Sequence, residues 1–193
     1  GGCAIGTRPV DLHLFALKKL GAKIKIKDGY IFAEAKKGLK GTIINFPSVS
    51  VGATENALIA ATNATGKTVL KNCAIEPEIK DLIIFLKKLG SIINLKGRTI
   101  TVKESKIKSS KILHEVIFDR IELGTYMIAS ALLAKKNIII DKIDPKIIKS
   151  EIDILRKIGV KITKRKTSVV IQNNKKLKKI NITTKPYPGF PTD

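Results

Sequence analysis

Leu17-Lys18-Lys19-Leu20-Gly21-Ala22-Lys23-Ile24, Leu86-Lys87-Lys88-Leu89-Gly90-Ser91-Ile92-Ile93 and Leu155-Arg156-Lys157-Ile158-Gly159-Val160-Lys161-Ile162 are three versions of one octapeptide. Their glycines, Gly21, Gly90 and Gly159, lie 69 residues apart and then 69 again, and the prolines upstream, Pro9, Pro77 and Pro145, keep a spacing of 68. A fixed period of this length marks a repeated supersecondary unit. Each proline is expected to open a helix, followed by acidic residues suited to a positive helix N-terminus: Asp11, then Glu78 and Asp81, then Glu151. Apolar residues at helical spacing follow, as in Leu82, Ile83, Phe85, Leu86 and Leu89, and the glycine supplies the left-handed residue that ends the helix.

Working outward, each glycine leads into two short strands around a turn. They are Lys23 to Lys27 and Tyr30 to Ala35 about Asp28-Gly29, Ile92 to Leu95 and Thr99 to Lys103 about Lys96-Gly97, and Lys161 to Lys164 with Ser168 to Gln172. Val51 to Ala64 and Glu122 to Ala134 read as second helices, each feeding a strand, Thr68 to Asn72 and Ile138 to Asp141. One unit is therefore helix, strand, strand, strand, helix, strand, with about two and three-quarter copies present. Read alone, this is an α/β scaffold with no chemistry stated.

Composition narrows the function. The 193 residues are 44% hydrophobic and 27% charged, which suffices for a packed core. The longest apolar run, about Tyr126 to Ala134, stops at Lys135-Lys136, too short to cross a membrane. Cys3, Cys73, His13 and His114 have no metal-ligand spacing, and two cysteines make no disulfide framework, so a metal is not expected and a reducing, cytoplasmic setting is. The net charge of +21 comes mostly from lysines spread along the whole chain, with nine Tyr and Phe and no Trp to stack on bases. Drift toward Lys, Ile and Asn explains it better than nucleic-acid binding, although such a field can also steer anionic substrates. A basic module for RNA or an acidic partner is the competing class; its binding would weaken steeply with salt.

The stretch that carries chemistry is Gly1-Gly2-Cys3-Ala4-Ile5-Gly6-Thr7-Arg8-Pro9-Val10-Asp11-Leu12-His13. Its glycines let backbone approach a ligand closely. Arg8 at a helix start offers guanidinium, free N–H groups and dipole to an anion. The same cations would draw a thiol from about 8.5 toward neutrality. Spacing alone points to a reactive cysteine beside an anion, and leaves open a glycine-rich loop with an incidental thiol.

This stretch resembles the catalytic loop of the UDP-N-acetylglucosamine 1-carboxyvinyltransferase family, enolpyruvyl transferases of peptidoglycan synthesis. The resemblance continues through Phe46-Pro47-Ser48-Val49-Ser50-Val51-Gly52-Ala53-Thr54-Glu55-Asn56, Glu76-Pro77-Glu78-Ile79, Asp119-Arg120-Ile121-Glu122 with Gly124-Thr125, and Phe190-Pro191-Thr192-Asp193. It implies a fold of two inside-out α/β barrels, each of three repeated units, with the active site between them. Residues 1–117 would be the latter two units of the first barrel and residues 118–193 the incomplete first unit of the second. The implied substrates are phosphoenolpyruvate and UDP-N-acetylglucosamine, with no cofactor, no nucleic acid and no membrane.

By the same resemblance Cys3 is the proton donor and the target of the epoxide antibiotic fosfomycin. Arg8, Pro9, Val10, Asp11 and Leu12 contact the UDP-sugar, with Arg8 also near the transferring phosphate. Ser48, Val49, Ser50, Val51 and Gly52 hold its diphosphate, and Asp193 takes the proton of, or orients, the 3-hydroxyl. Some members have Lys at the position of Ser48. Asp11 and Ser50 also fit plain helix-capping roles. Asp119 and Glu122 are expected in hinge or hydrogen-bond roles, Cys73 as a buried small hydrophobe, His13 at the surface or in packing, and His114 facing solvent. The sister enzyme 5-enolpyruvylshikimate-3-phosphate synthase shares the barrel and the transferred group but lacks the Gly-Gly-Cys loop. The family's N-terminal Lys-Asn pair and most of its second domain have no counterpart in these residues, so the polypeptide alone is expected to turn over little or nothing.

Overall fold

The computed structural model describes residues 2–3, 6–7, 9–106, 111–172 and 177–191, the first four by backbone only. The chain divides into two compact units, Gly1–Glu115 and Val116–Asp193. The first contains β1 (Gly2–Cys3), β2 (Gly6–Thr7), α1 (Asp11–Lys19), β3 (Lys23–Lys27), β4 (Tyr30–Glu34), β5 (Ile43–Asn45), α2 (Val51–Thr62), β6 (Thr68–Lys71), α3 (Pro77–Lys88), β7 (Ile92–Lys96) and β8 (Thr99–Lys103). The second contains α4 (Arg120–Leu133), β9 (Ile138–Asp141), α5 (Lys149–Ile158), β10 (Ile162–Lys164) and β11 (Ser168–Ile171).

The repeated octapeptide does the same thing three times. Gly21, Gly90 and Gly159 take φ of 97°, 101° and 105°, where a Cβ is penalised. Gly21 N–H donates to Lys18 O and Ala22 N–H to Leu17 O; Gly90 and Ser91 donate to Lys87 O and Leu86 O; Gly159 and Val160 donate to Arg156 O and Leu155 O. This is one Schellman closure in triplicate, and it satisfies carbonyls that the helix end would otherwise orphan. It turns the chain directly into the antiparallel hairpins β3–β4, β7–β8 and β10–β11. The upstream prolines are less uniform. Pro77 is the first residue of α3, whereas Pro9 precedes α1 and Pro145 lies in a turn ahead of α5.

In the first unit the four-stranded sheet runs β5-β6-β8-β7, with only β5–β6 parallel. Helices α2 and α3 cover it. Ala53, Ala57, Leu58 and Ala61 of α2 and Ile79, Ile83 and Leu86 of α3 meet Ile44, Leu70, Ile100 and Val102 in one buried cluster. The alanine-rich face of α2 lets its backbone approach the sheet closely. In the second unit, α4 and α5 contribute Leu123, Met127, Ile152 and Leu155 to a core against Val169 and Ile171 of the sheet β10-β11-β9.

The expected third strand of the unit is present in the first copy alone among the described residues. Ile44 of β5 is fully buried, while Leu113, 69 residues on, is 93% exposed. The segment around Leu113 is held to α3 instead: Lys88 Nζ donates to Leu113 O at 3.2 Å and His114 Nε2 to Asp81 Oδ2 at 3.1 Å. The His114 ring also lies 5.3 Å from that of Phe85. His114 is thus packed against α3, not turned to solvent as its sequence suggested. Alternation in Ile112-Leu113-His114 could not reveal that a local histidine–carboxylate contact would hold this segment.

The glycine closure has a direct test. A Cβ on Gly21 would meet nothing within 4 Å, so Gly21→Ala costs only the left-handed backbone. Urea unfolding should show a loss of about 1–2 kcal/mol for Gly21→Ala, and less for Gly21→Asn, which tolerates this region.

Candidate functional site

The segment 46–54 is pinned before its helix starts. Phe46, at the end of β5, is buried; its N–H donates to Lys71 O at 3.1 Å, and Asn72 Nδ2 donates to Phe46 O at 2.9 Å. Asn72 reaches it from a left-handed conformation, φ 57°, which Asn adopts more readily than most residues. Pro47, Ser48 and Val49 then run exposed to Ser50, the N-cap of α2. Ser50 Oγ accepts from Ala53 N–H at 3.3 Å. The capping role of Ser50 is therefore real, and it leaves the hydroxyl hydrogen available to donate outward.

Thr54 locks this turn from beneath. Its side chain is fully buried, its Oγ1–H donates to Ser50 O at 2.7 Å, and the same oxygen accepts Ala74 N–H at 3.0 Å. One hydroxyl thus ties the first turn of α2 to the loop entering α3. The N–H groups of Val51 and Gly52, in the first helical turn, have no acceptor within the helix. They form a fixed, positively polarised end suited to an anion.

Pro9, Val10 and Asp11 are exposed at the start of α1, and Leu12 is half-buried against the core. Val10 is the N-cap and makes no side-chain capping bond; Asp11 follows it inside the first turn. The Asp11 carboxylate thus stands where it suits the positive end of the helix. His13, next along α1, has its imidazole against α2: a Cβ on Gly52 would lie 3.2 Å from His13 Cε1 and 3.4 Å from Nε2. The two stretches Pro9–Leu12 and Ser48–Gly52, about 40 residues apart in sequence, are thereby joined at adjacent helix N-termini.

Cys3 lies on a two-rung antiparallel pairing, Gly2 opposite Thr7 and Cys3 opposite Gly6. The stretch reads as a loop from sequence because glycine is depleted in strands, and the pairing was not visible there. Arg8 and Asp193 lie outside the described residues. Asp119 caps α4, its Oδ1 accepting from Ile121 N–H at 2.8 Å and Glu122 N–H at 3.2 Å.

Two ionisable groups nearby depart from their ordinary behaviour. Burial, then the charges of Glu78 and Glu76, push the Glu55 carboxyl up, and His13 partly opposes this. Cys73 is fully buried, and burial pushes its thiol up to about 11, so it is no nucleophile near neutral pH. No cluster of three or more His, Cys, Asp or Glu suited to a metal occurs among the described residues. No helix among them is long and apolar enough to cross a membrane.

The chain matches the family model of EPSP synthase (3-phosphoshikimate 1-carboxyvinyltransferase) over residues 1–193. It is 59% identical to a UDP-N-acetylglucosamine 1-carboxyvinyltransferase of Pelagibacter ubique over the whole chain and 46% of that relative. It is 50% identical to the enzyme of the same name from Endomicrobium trichonymphae, again over the whole chain and 46% of the relative. The chain thus spans about half the length of the curated relatives it matches. Among solved structures, the enolpyruvyl transferase NikO from Streptomyces tendae aligns with a TM-score of 0.79 at 20% identity, over 97% of this chain and 47% of that one. The fold is accordingly the repeated α/β fold of enolpyruvyl transferases, covered in part.

Thr54→Val keeps the shape but leaves Ala74 N–H without its acceptor, while Ser50 O still accepts the N–H of residue 54; thermal or urea unfolding should show a loss of about 1–3 kcal/mol. Glu55 holds its proton to higher pH when folded than when unfolded, so its contribution is lost as pH rises from 4.5 through its raised value. Glu55→Gln should therefore melt higher than the parent at neutral pH. The two melting curves should converge below about pH 4.

Proposed function

Since the chain belongs to the EPSP synthase (3-phosphoshikimate 1-carboxyvinyltransferase) family, we propose that it carries part of an enzyme that transfers the enolpyruvyl group of phosphoenolpyruvate to the 3-hydroxyl of UDP-N-acetylglucosamine. Phosphate is released, and the product commits the sugar nucleotide to peptidoglycan. The observation that carries this reading within the family is whole-chain identity of 59% and 50% to two enzymes so named. The Gly1-Gly2-Cys3 loop favours it over the shikimate enzyme. Residues 1–117 then supply the latter two units of one barrel and residues 118–193 the first unit of the next. A free thiol, Cys73, accords with a cytoplasmic setting.

The reaction divides into two proton-balanced steps. In the addition, the Cys3 thiol gives a proton to the methylene carbon of phosphoenolpyruvate while the sugar oxygen bonds to its C2, and Asp193 takes the hydroxyl proton. In the elimination, the Cys3 thiolate left by the first step takes a proton from the new methyl group, the C2–O bond to phosphate breaks so that the double bond re-forms, and the Asp193 proton passes to the departing phosphate. A general acid works best with a pKa near ambient pH, a role that the buried Cys73 thiol, pushed up to about 11, does not suit. Arg8 balances charge on the departing phosphate. Pro9–Leu12 take the sugar nucleotide from one side. The pinned turn Ser48–Gly52 offers its backbone N–H groups to the diphosphate, with Ser50 donating its free hydroxyl hydrogen.

The test places these 193 residues in the matching stretch of the Pelagibacter ubique relative and measures phosphate release from phosphoenolpyruvate. Release should require UDP-N-acetylglucosamine, be absent with shikimate 3-phosphate, and fall by at least about 100-fold in Cys3→Ser, the lower range of general acid catalysis. Fosfomycin should modify Cys3 and leave Cys73 untouched in peptide mass maps. Sugar-dependent turnover that survives Cys3→Ser would keep the reaction and remove Cys3 from its role. A folded hybrid silent with every acceptor would overturn the proposal.

A further inference from the structure

We infer that His13 is a positioning residue that sets the spacing between the two halves of the sugar-nucleotide site, with Gly52 as its seat; this rests on the function proposed above. His13 directly follows Pro9–Leu12 and Gly52 closes Ser48–Gly52, so one contact links the two stretches assigned to one ligand. Both residues lie in the first turn of their helices. Whatever fixes their separation therefore fixes the separation of two sets of free backbone N–H groups. A diphosphate, whose two anionic centres are rigidly spaced, is the ligand most sensitive to that distance.

The fit is close from both sides. A Cβ at Gly52 would sit 3.2 Å from His13 Cε1, tighter than ordinary van der Waals contact, so Gly52 cannot gain a side chain without moving the ring. Helix α1 itself is held on the core through Leu12, Phe15 and Ala16, so the His13 side chain or the start of α2 must give. A flat imidazole meets the glycine with its Cε1–Nε2 edge, a distance that a branched aliphatic side chain would not reproduce. Glu55, one turn along α2, interacts attractively with His13 and repulsively with Glu78 and Glu76. Sequence alone put His13 at the surface or in packing, because nothing in Asp11-Leu12-His13 reveals the glycine it meets.

The experiment is a double-mutant cycle of Gly52→Ala and His13→Ala in the hybrid enzyme, reading kcat and both KM values. Gly52→Ala alone should raise KM for UDP-N-acetylglucosamine about tenfold, since sub-ångström displacement of a binding group is costly, and leave KM for phosphoenolpyruvate within about twofold. In the His13→Ala background the added methyl has nothing to push against. The further rise caused by Gly52→Ala should there shrink to about twofold or less. His13→Gln, which retains a flat polar end, should restore much of the affinity lost in His13→Ala.

An equal Gly52→Ala penalty in both backgrounds would mean that Gly52 is small only to admit ligand, and would overturn the inference. So would a cycle in which melting temperature moves and KM for the sugar nucleotide does not. If the unsubstituted hybrid turns over no acceptor, the functional reading fails and His13 has no site to position. A hybrid that turns over UDP-N-acetylglucosamine with additive substitutions removes this inference alone.

Discussion

The buried hydroxyl of Thr54 holds together the end of the first unit on which the candidate site depends. It donates to the carbonyl of Ser50 and accepts from the amide of Ala74, so the start of α2 cannot move without the loop that enters α3. Buried polar groups persist where they are satisfied, and here the hydroxyl both donates to and accepts from backbone groups. Asn72 extends the same logic one step upstream by holding the carbonyl of Phe46. The exposed turn at Ser48 and Val49 is short and anchored at both ends. Its amides can therefore present a fixed geometry without a large ordering cost on binding.

A second constraint acts at the far end of the helices. The Schellman closures at Gly21, Gly90 and Gly159 send three helices into three hairpins by the same backbone route. These closures end α1, α3 and α5, whereas α2 ends at Asn63 and meets α1 at its start, where Gly52 lies against His13. Burial holds the Cys73 thiol protonated in the core.

Much of this was legible in the sequence. The period of 69 set the α/β unit, and the turns Asp28-Gly29 and Lys96-Gly97 set two hairpins that the structure reproduces. Leu113 shows where the reading fails: a residue at the repeat position of the buried Ile44 stands 93% exposed, because His114 binds Asp81. That competition between a strand and a side-chain contact is tertiary, and no local pattern encodes it. At the site, Ser48–Gly52 and Pro9–Leu12 could be named from motifs, and Ser50 could be foreseen as a cap. The Thr54 bridge and the His13–Gly52 contact could not, since each depends on residues brought from other elements. A threonine three residues into an alanine-rich helix gives no sign of the amide it will accept.

Under the proposed function, the N-termini of α1 and α2 form one site for a sugar nucleotide. Amide chemical shifts of the chain, followed while UDP-N-acetylglucosamine is added at moderate salt, test this. Such a site gives saturable shifts concentrated in residues 10–13 and 48–53, retained when salt is raised. Shifts scattered over the lysine-rich strands and abolished by salt would contradict it, and would favour a basic surface that binds anions without a site.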